Sequence, residues 1–311
     1  MRKIKLYSIV IPVYNEIDSI ERLYREIVTV GKNLQLNYEI IFLDDGSRDG
    51  SCNKLCEIKD KDQNVRVISF ARNYGKSVVY TTGFKLAKGE YIITMDSDLQ
   101  DDPNEISKFI EKIDSGYDVV VGWKKNRFHN EPLKKIPSLC YNFLKQFFFG
   151  IRLRDSNCGF RILRKETVYS LHLYGDRYRF IPELLHIDGF KVCEIPINHR
   201  KRTYGRSKYG FSRFFTGFFD ILSVRFLSSY HFKPLHFFGS ISLIPITIGF
   251  ILECYVMWQK ICNDSTFQKH VAAIIIGVMM IMVGVQFLIT GFLGEMLSYQ
   301  KKNPNINYKE M

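Results

Sequence analysis

The sequence lacks the cysteine pattern of a disulfide-stabilised or zinc-binding protein. Its 311 residues include seven cysteines, an odd number. None of them forms a Cys-x-x-Cys pair, and the nearest two are Cys52 and Cys56. Disulfide frameworks and structural zinc sites need paired cysteines at regular spacings, so neither is expected. Reduced thiols in a cytosolic compartment fit this pattern.

Acidic residues are fewer than basic ones. Lys and Arg total 44 against 32 Asp and Glu, which gives a formal net charge of +12. Such a balance favours a polyanionic partner: nucleic acid, an anionic membrane surface or a phosphorylated substrate. The chain contains no nucleic-acid recognition motif, and its basic residues cluster beside apolar segments, so we expect no nucleic-acid partner.

Long apolar runs are confined to the last third of the chain. Residues 235–258 and 271–294 are each long enough to cross a hydrocarbon core of about 30 Å, and the short connector between them predicts a hairpin. Basic residues precede the first run and follow the second. We expect an integral protein of the inner membrane, and the positive-inside rule predicts that both termini and the domain that precedes the first run lie in the cytoplasm. The alternative is a pair of buried core helices.

Strands and helices alternate over the first part of the chain. Short apolar segments predict strands at 8–13, 39–43, 65–70, 91–95 and 119–121, with helices between them. This order predicts an α/β fold whose Rossmann-like, mostly parallel sheet is covered on both faces. Beyond it we expect a helix near 137–149, a strand near 160–163 and a helix near 182–188. The expected domains are an α/β domain at 1–206, aromatic-rich interfacial helices at 207–234 and a membrane hairpin at 235–311.

Two carboxylates follow the fourth predicted strand. Asp96 and Asp98 are one residue apart and would repel each other unless a cation lies between them. The carboxyl end of a buried strand is where open α/β sheets bind ligands. Oxygen ligands suit Mg²⁺ or Mn²⁺, which often shares its coordination shell with substrate phosphates. The alternative is a solvated acidic turn.

Six motifs occur in order along the chain: SIVIPVYNE from Ser8, DDGS from Asp44, RNYGK from Arg72, DSDLQD from Asp96, CGFR from Cys158 and RTYGRSKY from Arg202. Together with the hairpin, they resemble the family-two inverting glycosyltransferases of GT-A fold. More narrowly, they are similar to the polyprenyl-phosphate branch, which includes dolichol-phosphate mannosyltransferases and bacterial undecaprenyl-phosphate glycosyltransferases. The resemblance covers nearly the whole chain.

The resemblance implies a donor site. Asp96, Asp98 and Gln100 would hold the divalent metal, Mg²⁺ or Mn²⁺. Arg202 and Lys208 would close over the donor diphosphate, although binding to anionic lipid head groups is the alternative for these two. The residues that would line the nucleotide pocket are Pro12, Tyr14, Glu16, Asp44 and Asp45.

The resemblance also implies an acceptor site. Asp155 and Asp98 would be the catalytic carboxylates, with Asp155 acting as a base or an orienting group. The lipid phosphate arrives mostly dianionic, which favours orientation. The residues that would bind this phosphate are Lys124, Arg127, Lys134, Ser138 and Arg161. The family often has Arg at the positions of Lys124 and Lys134. Unlike the guanidinium of Arg, the ammonium of Lys cannot donate two parallel hydrogen bonds to a phosphate. The alternatives are a solvated basic surface and an ion pair of Asp155 with Arg161.

The implied activity is transfer of one sugar, with inversion, from a UDP- or GDP-linked donor to a polyprenyl phosphate at the cytoplasmic membrane face. A processive polysaccharide synthase is one alternative, but neither Trp123 nor Trp258 lies in the Gln-x-x-Arg-Trp motif of those enzymes. A non-catalytic membrane scaffold on a transferase fold is another. Gly277, Gly284 and Gly291 recur every seven residues and would allow close helix pairing, including homo-oligomerisation through the hairpin.

Overall fold

The computed structural model describes residues 5–124, 135–198, 200, 220–226, 234–263 and 265–300, without the side chains of 135–141 and 298–300. The chain divides into two compact units, Met1–Val224 and Arg225–Met311.

The first unit is built on a seven-stranded sheet with the strand order β3-β2-β1-β4-β6-β5-β7. Only β6 runs antiparallel to its neighbours, β4 and β5. The strands are β1 Leu6–Val13, β2 Asn37–Asp44, β3 Val65–Ser69, β4 Tyr91–Thr94, β5 Val119–Lys124, β6 Arg161–Arg164 and β7 Val192–Ile197. The predicted α/β fold with a mostly parallel sheet is confirmed.

Among the residues that the structure describes, this unit contains six α-helices with defined ends. They are α1 Ile17–Asn33, α2 Ser51–Lys59, α3 Lys76–Leu86, α4 Ile106–Asp114, α5 Lys135–Phe149 and α6 Ile181–Ile187. In α1 the buried residues Ile20, Leu23, Ile27 and Val30 recur at helical spacing, so one face packs on the sheet. Residues 220–226 are also helical, whereas residues 207–219 and 227–233 of the predicted interfacial segment lie outside the described residues.

The central strands are buried on both faces. Seven of the eight residues of β1, and all four of β4, are buried. A strand covered on both sides by helices needs apolar residues at successive positions, which is why these segments read as continuous apolar runs. β1 pairs in parallel with β2 on one side and with β4 on the other. The chain continues from β1 to β2 and β3 on one side, and then crosses to β4 on the other side. The crevice at the carboxyl ends of β1 and β4 is therefore a topological switch point.

Two features of the sheet were not predicted. The strand β7, Val192–Ile197, carries Pro196 and only partly buried residues at its start. A proline is tolerated here because, among the described strands, β7 pairs with β5 alone and so forms the edge of the sheet. The second feature is the antiparallel direction of β6. It could not be predicted, because the four residues of this strand do not indicate whether the strand runs parallel or antiparallel to its neighbours.

The second unit contains two long apolar helices, α7 Pro234–Cys262 and α8 Val271–Gln300. Both are long and apolar enough to cross a membrane, because an 18-residue segment within each helix has a mean hydropathy of 1.9 and 2.6, respectively. They include the two predicted spans. The predicted glycine face of α8 packs on α7: an added Cβ at Gly284 would lie 2.9 Å from the carbonyl oxygen of Ser242, and one at Gly291 would lie 3.1 Å from Phe238. The glycines therefore bring the helices of one chain together.

Candidate active site

Polar residues from three strand ends line one cavity of about 200 Å³ at the switch point. Tyr14 and Glu16 follow β1, Asp45 follows β2, and Asp96 and Asp98 follow β4. Because these strands are parallel neighbours, their carboxyl ends open at the same edge of the sheet. The complete lining is Pro12, Val13, Tyr14, Glu16, Asp45, Lys76, Val79, Asp96, Ser97 and Asp98.

The two carboxylates after β2 have different positions. Asp45 lines the cavity, and its oxygens accept hydrogen bonds from the backbone N–H groups of Tyr74 at 2.7 Å and Gly75 at 3.0 Å. Asp44 is 1% exposed and does not line the cavity. It accepts from the Ser47 N–H and the Ser69 hydroxyl, both at 3.2 Å, and so holds the turn beneath the cavity.

Asp96 forms an ion pair with Lys76 in the cavity wall. The Lys76 Nζ donates to Asp96 Oδ1 at 2.7 Å. Burial disfavours both charges, but their mutual attraction outweighs it, so the pKa of Asp96 is lowered and that of Lys76 is raised. Both groups are therefore charged at neutral pH. Lys76 belongs to the RNYGK motif, but the motif by itself predicts no role for this side chain. The signal that could have identified it is its position in the first turn of α3, directly after Gly75.

The turn after Asp98 has an unusual backbone. Leu99 is a buried residue at φ 61°, in the left-handed region that costs an ordinary residue free energy. The Gln100 N–H donates to Asp98 Oδ1 at 3.2 Å, which fixes the carboxylate at the cavity wall. Gln100 itself is not part of the lining, so the structure brings together two of the three predicted metal ligands.

Asp101 lies behind these two carboxylates. It is 1% exposed, and its Oδ2 accepts from the Asp96 N–H at 3.2 Å. Burial raises the pKa of Asp101 to about 6, against the opposing attraction of Lys124. The Lys124 Nζ lies 3.8 Å from Asp101 Oδ1. Lys124, which was predicted to bind the acceptor phosphate, is thus directed to a buried carboxylate at the back of the site. Asp101 supports the site from behind, and the sequence analysis assigned it no role.

The cavity fits a divalent ion whose remaining ligands come from a bound substrate and water. Asp96 and Asp98 offer carboxylate oxygens in one wall. Across the residues that the structure describes, no group of three His, Cys, Asp or Glu side chains converges on a metal position. Mg²⁺ and Mn²⁺ are commonly held by one or two carboxylates, with substrate phosphates and water completing the shell. The donor set therefore suits an ion shared with a diphosphate.

A second cavity of about 130 Å³ adjoins the first and shares Lys76 and Asp96 with it. Arg161, 2% exposed, enters from β6 and donates to the backbone oxygens of Tyr178 at 3.0 Å and Ser156 at 3.3 Å. These bonds tie the loop before β6 to the turn before α6. The complete lining is Lys76, Tyr80, Asp96, Asn157, Gly159, Arg161, Tyr178 and Arg179.

A buried ion pair supports this second cavity from behind. The Lys145 Nζ lies 2.8 Å from Glu183 Oε1, and both side chains are almost fully buried. The same ammonium donates to the Ser156 hydroxyl at 2.7 Å and lies over the Phe180 ring. Helices α5 and α6 are thereby joined to the Ser156 loop. A lone lysine in the aromatic-rich stretch of α5 was the only sequence signal for this pair.

The remaining predicted residues are placed as follows. Asp155 is 6% exposed and lines neither cavity; its N–H donates to Glu194 Oε1 at 2.8 Å. Arg161 donates hydrogen bonds to the backbone oxygens of Tyr178 and Ser156. Ser138 belongs to α5, but the structure does not describe its side chain. The other predicted residues outside the described part of the chain are Arg127, Lys134, Arg202 and Lys208.

Comparison with known proteins identifies relatives over most of the chain. The family described as Glycosyl transferase family 2 matches residues 8–171, more than half of the sequence. A curated relative, dodecaprenyl-phosphate galacturonate synthase of Rhizobium johnstonii, is 32% identical over 307 residues, which cover 97% of this chain and 90% of that protein.

Solved structures share the fold at low identity. Glucosyl-3-phosphoglycerate synthase from Mycobacterium tuberculosis, in complex with Mn²⁺ and uridine-diphosphate-glucose, has a TM-score of 0.54 and 18% identity over 71% of this chain and 79% of its own. Mannosyl-3-phosphoglycerate synthase from Rubrobacter xylanophilus has a TM-score of 0.55 and 16% identity, covering 71% of this chain and 74% of that one. These likenesses confirm the GT-A fold of the first unit.

Proposed function

Because this chain belongs to glycosyl transferase family 2, we propose that it moves one sugar from a nucleotide-diphosphate sugar to a polyprenyl phosphate at a membrane surface. The transfer inverts the anomeric carbon. The observation that carries the proposal is the single cavity in which the residues after β1 and β2 meet the Asp96–Asp98 turn. The relative over nearly the full chain supports the acceptor class, since its name pairs a polyprenyl phosphate with a sugar acid.

The cavity has one end for the nucleoside and one for the diphosphate. Glu16 and Asp45 repel phosphate but accept hydrogen bonds from the hydroxyl and N–H groups of a ribose and a base. Lys76 is the cation of the described lining, and it pairs with Asp96. The diphosphate therefore belongs near the Asp96–Asp98 turn, where Asp98 and Asp96 would hold a divalent ion. When bound, that ion neutralises charge on the departing diphosphate.

The chemical step needs little proton transfer. A lipid phosphate has a second pKa near 6, so it is mostly dianionic at neutral pH. One of its oxygens attacks the anomeric carbon, the bond from that carbon to the diphosphate oxygen breaks, and the nucleoside diphosphate leaves with the electron pair. Asp155 is held by its backbone bond to Glu194 in the loop that precedes β6. Its role in this scheme is to orient the acceptor end of the site rather than to remove a proton.

The hairpin gives the enzyme access to its lipid substrate. Helices α7 and α8 have the length and composition of membrane spans, and basic residues flank them on the side of the chain termini. In the proposed arrangement, residues 1–206 and both termini are cytoplasmic, residues 207–234 lie in the membrane interface and residues 235–311 form the anchor with a short tail.

The proposal is tested with membranes that contain the full chain, a polyprenyl phosphate and radiolabelled UDP- and GDP-sugars offered one at a time. We expect label in a lipid phosphate product with at least one donor, together with dependence on Mg²⁺ or Mn²⁺. Asp98→Ala should abolish this transfer and weaken Mn²⁺ binding measured by electron paramagnetic resonance with nucleoside diphosphate present. The variant should still insert into membranes. Transfer by Asp98→Ala in EDTA at the wild-type rate would refute the metal assignment, and absence of lipid-linked product with every donor would refute the function.

A further inference from the structure

Arg200 holds the acidic turn that follows β4, residues 96–102, at two points. Its backbone N–H donates to the carbonyl oxygen of Gln100 at 3.0 Å. Its guanidinium pairs with Asp102 Oδ1 at 2.8 Å and with Glu26 Oε2 at 2.5 Å. Asp102 belongs to the acidic turn, whereas Glu26 belongs to α1. Arg200, which follows β7, therefore connects the turn to two elements that are distant from it in sequence.

The backbone of Gln100 links Arg200 to the site. The Gln100 N–H donates to Asp98 Oδ1 at 3.2 Å, and the Gln100 carbonyl accepts from Arg200. The residue before it, Leu99, is buried at φ 61°. A non-glycine residue stays in this left-handed conformation only where the surrounding structure enforces it. The hydrogen bonds on both sides of Gln100 provide this constraint, and one of them ends on the carboxylate of Asp98.

Charge supports the same role. The acidic turn contains four aspartates, and basic residues from outside the turn lie against three of them. These pairs are Lys76 with Asp96, Lys124 with Asp101 and Arg200 with Asp102. Carboxylates that lie close together repel one another, so each pair reduces the repulsion on Asp98 at the cavity wall.

Arg200 acts on the site through the turn. It does not belong to the described lining of either cavity, and its guanidinium is engaged by Glu26 and Asp102. A guanidinium presents several donors in a rigid planar fork and can hold two carboxylates in a fixed geometry, whereas a lysine ammonium is a point charge. The geometry therefore suits orientation of the turn rather than contact with a substrate.

We propose that Arg200 is a positioning residue for the divalent ion. It holds Asp98 at the cavity wall through Asp102 and the backbone of Gln100, and so sets the affinity of the site for the ion. This inference rests on the proposed function, which assigns the ion to Asp96 and Asp98. Groups that orient metal ligands from behind typically contribute about 10–100-fold to metal affinity.

The test measures Mn²⁺ binding to the full chain in detergent by electron paramagnetic resonance, with UDP or GDP present. Arg200→Gln should weaken Mn²⁺ binding by about 10–100-fold. It should raise the Mn²⁺ concentration needed for half-maximal transfer by a similar factor, with the KM for polyprenyl phosphate unchanged. Arg200→Lys keeps the charge without the fork, so its affinity should lie between those of wild type and Arg200→Gln. Circular dichroism at the assay temperature checks that each variant is folded.

Arg22→Gln is the matched control. Arg22 pairs with the same Glu26, at 2.9 Å, but this pair lies within α1 and the arginine side chain is 59% exposed. Its Mn²⁺ affinity should equal that of wild type. Asp102→Asn removes the charge that Arg200 holds, while an amide oxygen can still accept the Asn104 N–H bond. It should weaken Mn²⁺ binding, and adding Arg200→Gln to it should cause little further loss.

Several results would overturn the inference and leave the proposed function intact. They are wild-type Mn²⁺ affinity in Arg200→Gln, an equal loss in Arg22→Gln, and a double variant in which the two losses multiply. An equal rise in the KM for polyprenyl phosphate would also overturn it, since that result indicates general damage to the fold. Absence of Mn²⁺ binding by the wild-type chain with either nucleotide would overturn both the inference and the metal assignment, whereas the lipid-linked product tests the function separately.

Discussion

The ion pair of Lys145 and Glu183 provides a stringent test of how the second cavity is supported. The pair joins α5 to α6, with 4% of the lysine side chain and 1% of the glutamate side chain exposed. Burial lowers the pKa of Lys145, and the attraction of Glu183 only partly offsets this. Lys145→Met keeps the length of the side chain but leaves the Glu183 carboxylate buried without its cation.

Removing one partner of a buried pair costs about 3–5 kcal/mol of the free energy of unfolding. For a unit of this size, each kcal/mol corresponds to about 2–4 °C, so the unfolding midpoint should fall by about 6–20 °C. The double variant Lys145→Met/Glu183→Leu removes both charges and should recover at least half of this loss. Recovery should be incomplete, because the Ser156 hydroxyl and the Arg179 carbonyl lose their donor, at about 1 kcal/mol each.

The assay is thermal unfolding of the full chain in detergent, followed by circular dichroism. Lys54→Met is the control, since Lys54 forms exposed ion pairs with Glu21 and Glu57 on the surface, and its midpoint should stay close to wild type. A loss below about 1 kcal/mol for Lys145→Met, or a double variant as unstable as the sum of its two single variants, would refute the reasoning.

Two further predictions concern the site and the sheet. An added Cβ at Gly159 would lie 2.9 Å from Asp96 Oδ2 and 3.0 Å from its Oδ1, so Gly159→Ala should displace this carboxylate and lower kcat/KM by about 10–100-fold in the transfer assay. Glu39 is buried, but bonds from Ser8, the Lys88 N–H and Arg66 outweigh burial and lower its pKa below the usual 4.5. Its charged form therefore stabilises the fold above pH 4.5 and loses this effect as the pH falls through the lowered pKa. Glu39→Gln should cost about 1–3 kcal/mol at pH 7, measured by denaturant unfolding, and progressively less in acid.

The two variants have separate controls. Gly239→Ala in α7 adds a Cβ that meets nothing within 4 Å, so its transfer rate should be close to wild type. If Gly159→Ala were equally active, the close approach of Gly159 to Asp96 would have no role in positioning the carboxylate. A Glu39→Gln deficit that is the same at pH 7 and in acid would show that the loss comes from packing rather than from the charge of Glu39.

Local pattern was sufficient to predict most of the first unit. Strands β1, β2 and β4 are buried on both faces, and their continuous apolar runs identified them in advance. The resemblance implied that Tyr14 and Asp45 line the same site as Asp96, and the geometry explains it, because the ends of these parallel strands open on one edge of the sheet. The family resemblance added the identity of the activity, which periodicity does not contain.

Contacts distant in sequence could not be predicted in this way. The edge strand β7 pairs with β5 from about 70 residues away, as Val119 faces Val192, and neither segment signals the other. Lys145 and Glu183 lie on two different helices, and nothing in the sequence of either helix indicates that the fold will pair them.

The amino-acid sequence by itself determined the α/β unit, the apolar hairpin and the order of the motifs, because periodicity and composition act over short distances along the chain. Tertiary structure alone decided which charges face one another. It paired Lys76 with Asp96 and directed Lys124 to Asp101. The physical reason is that charge and burial depend on neighbours in space, and these neighbours come from segments far apart in the chain.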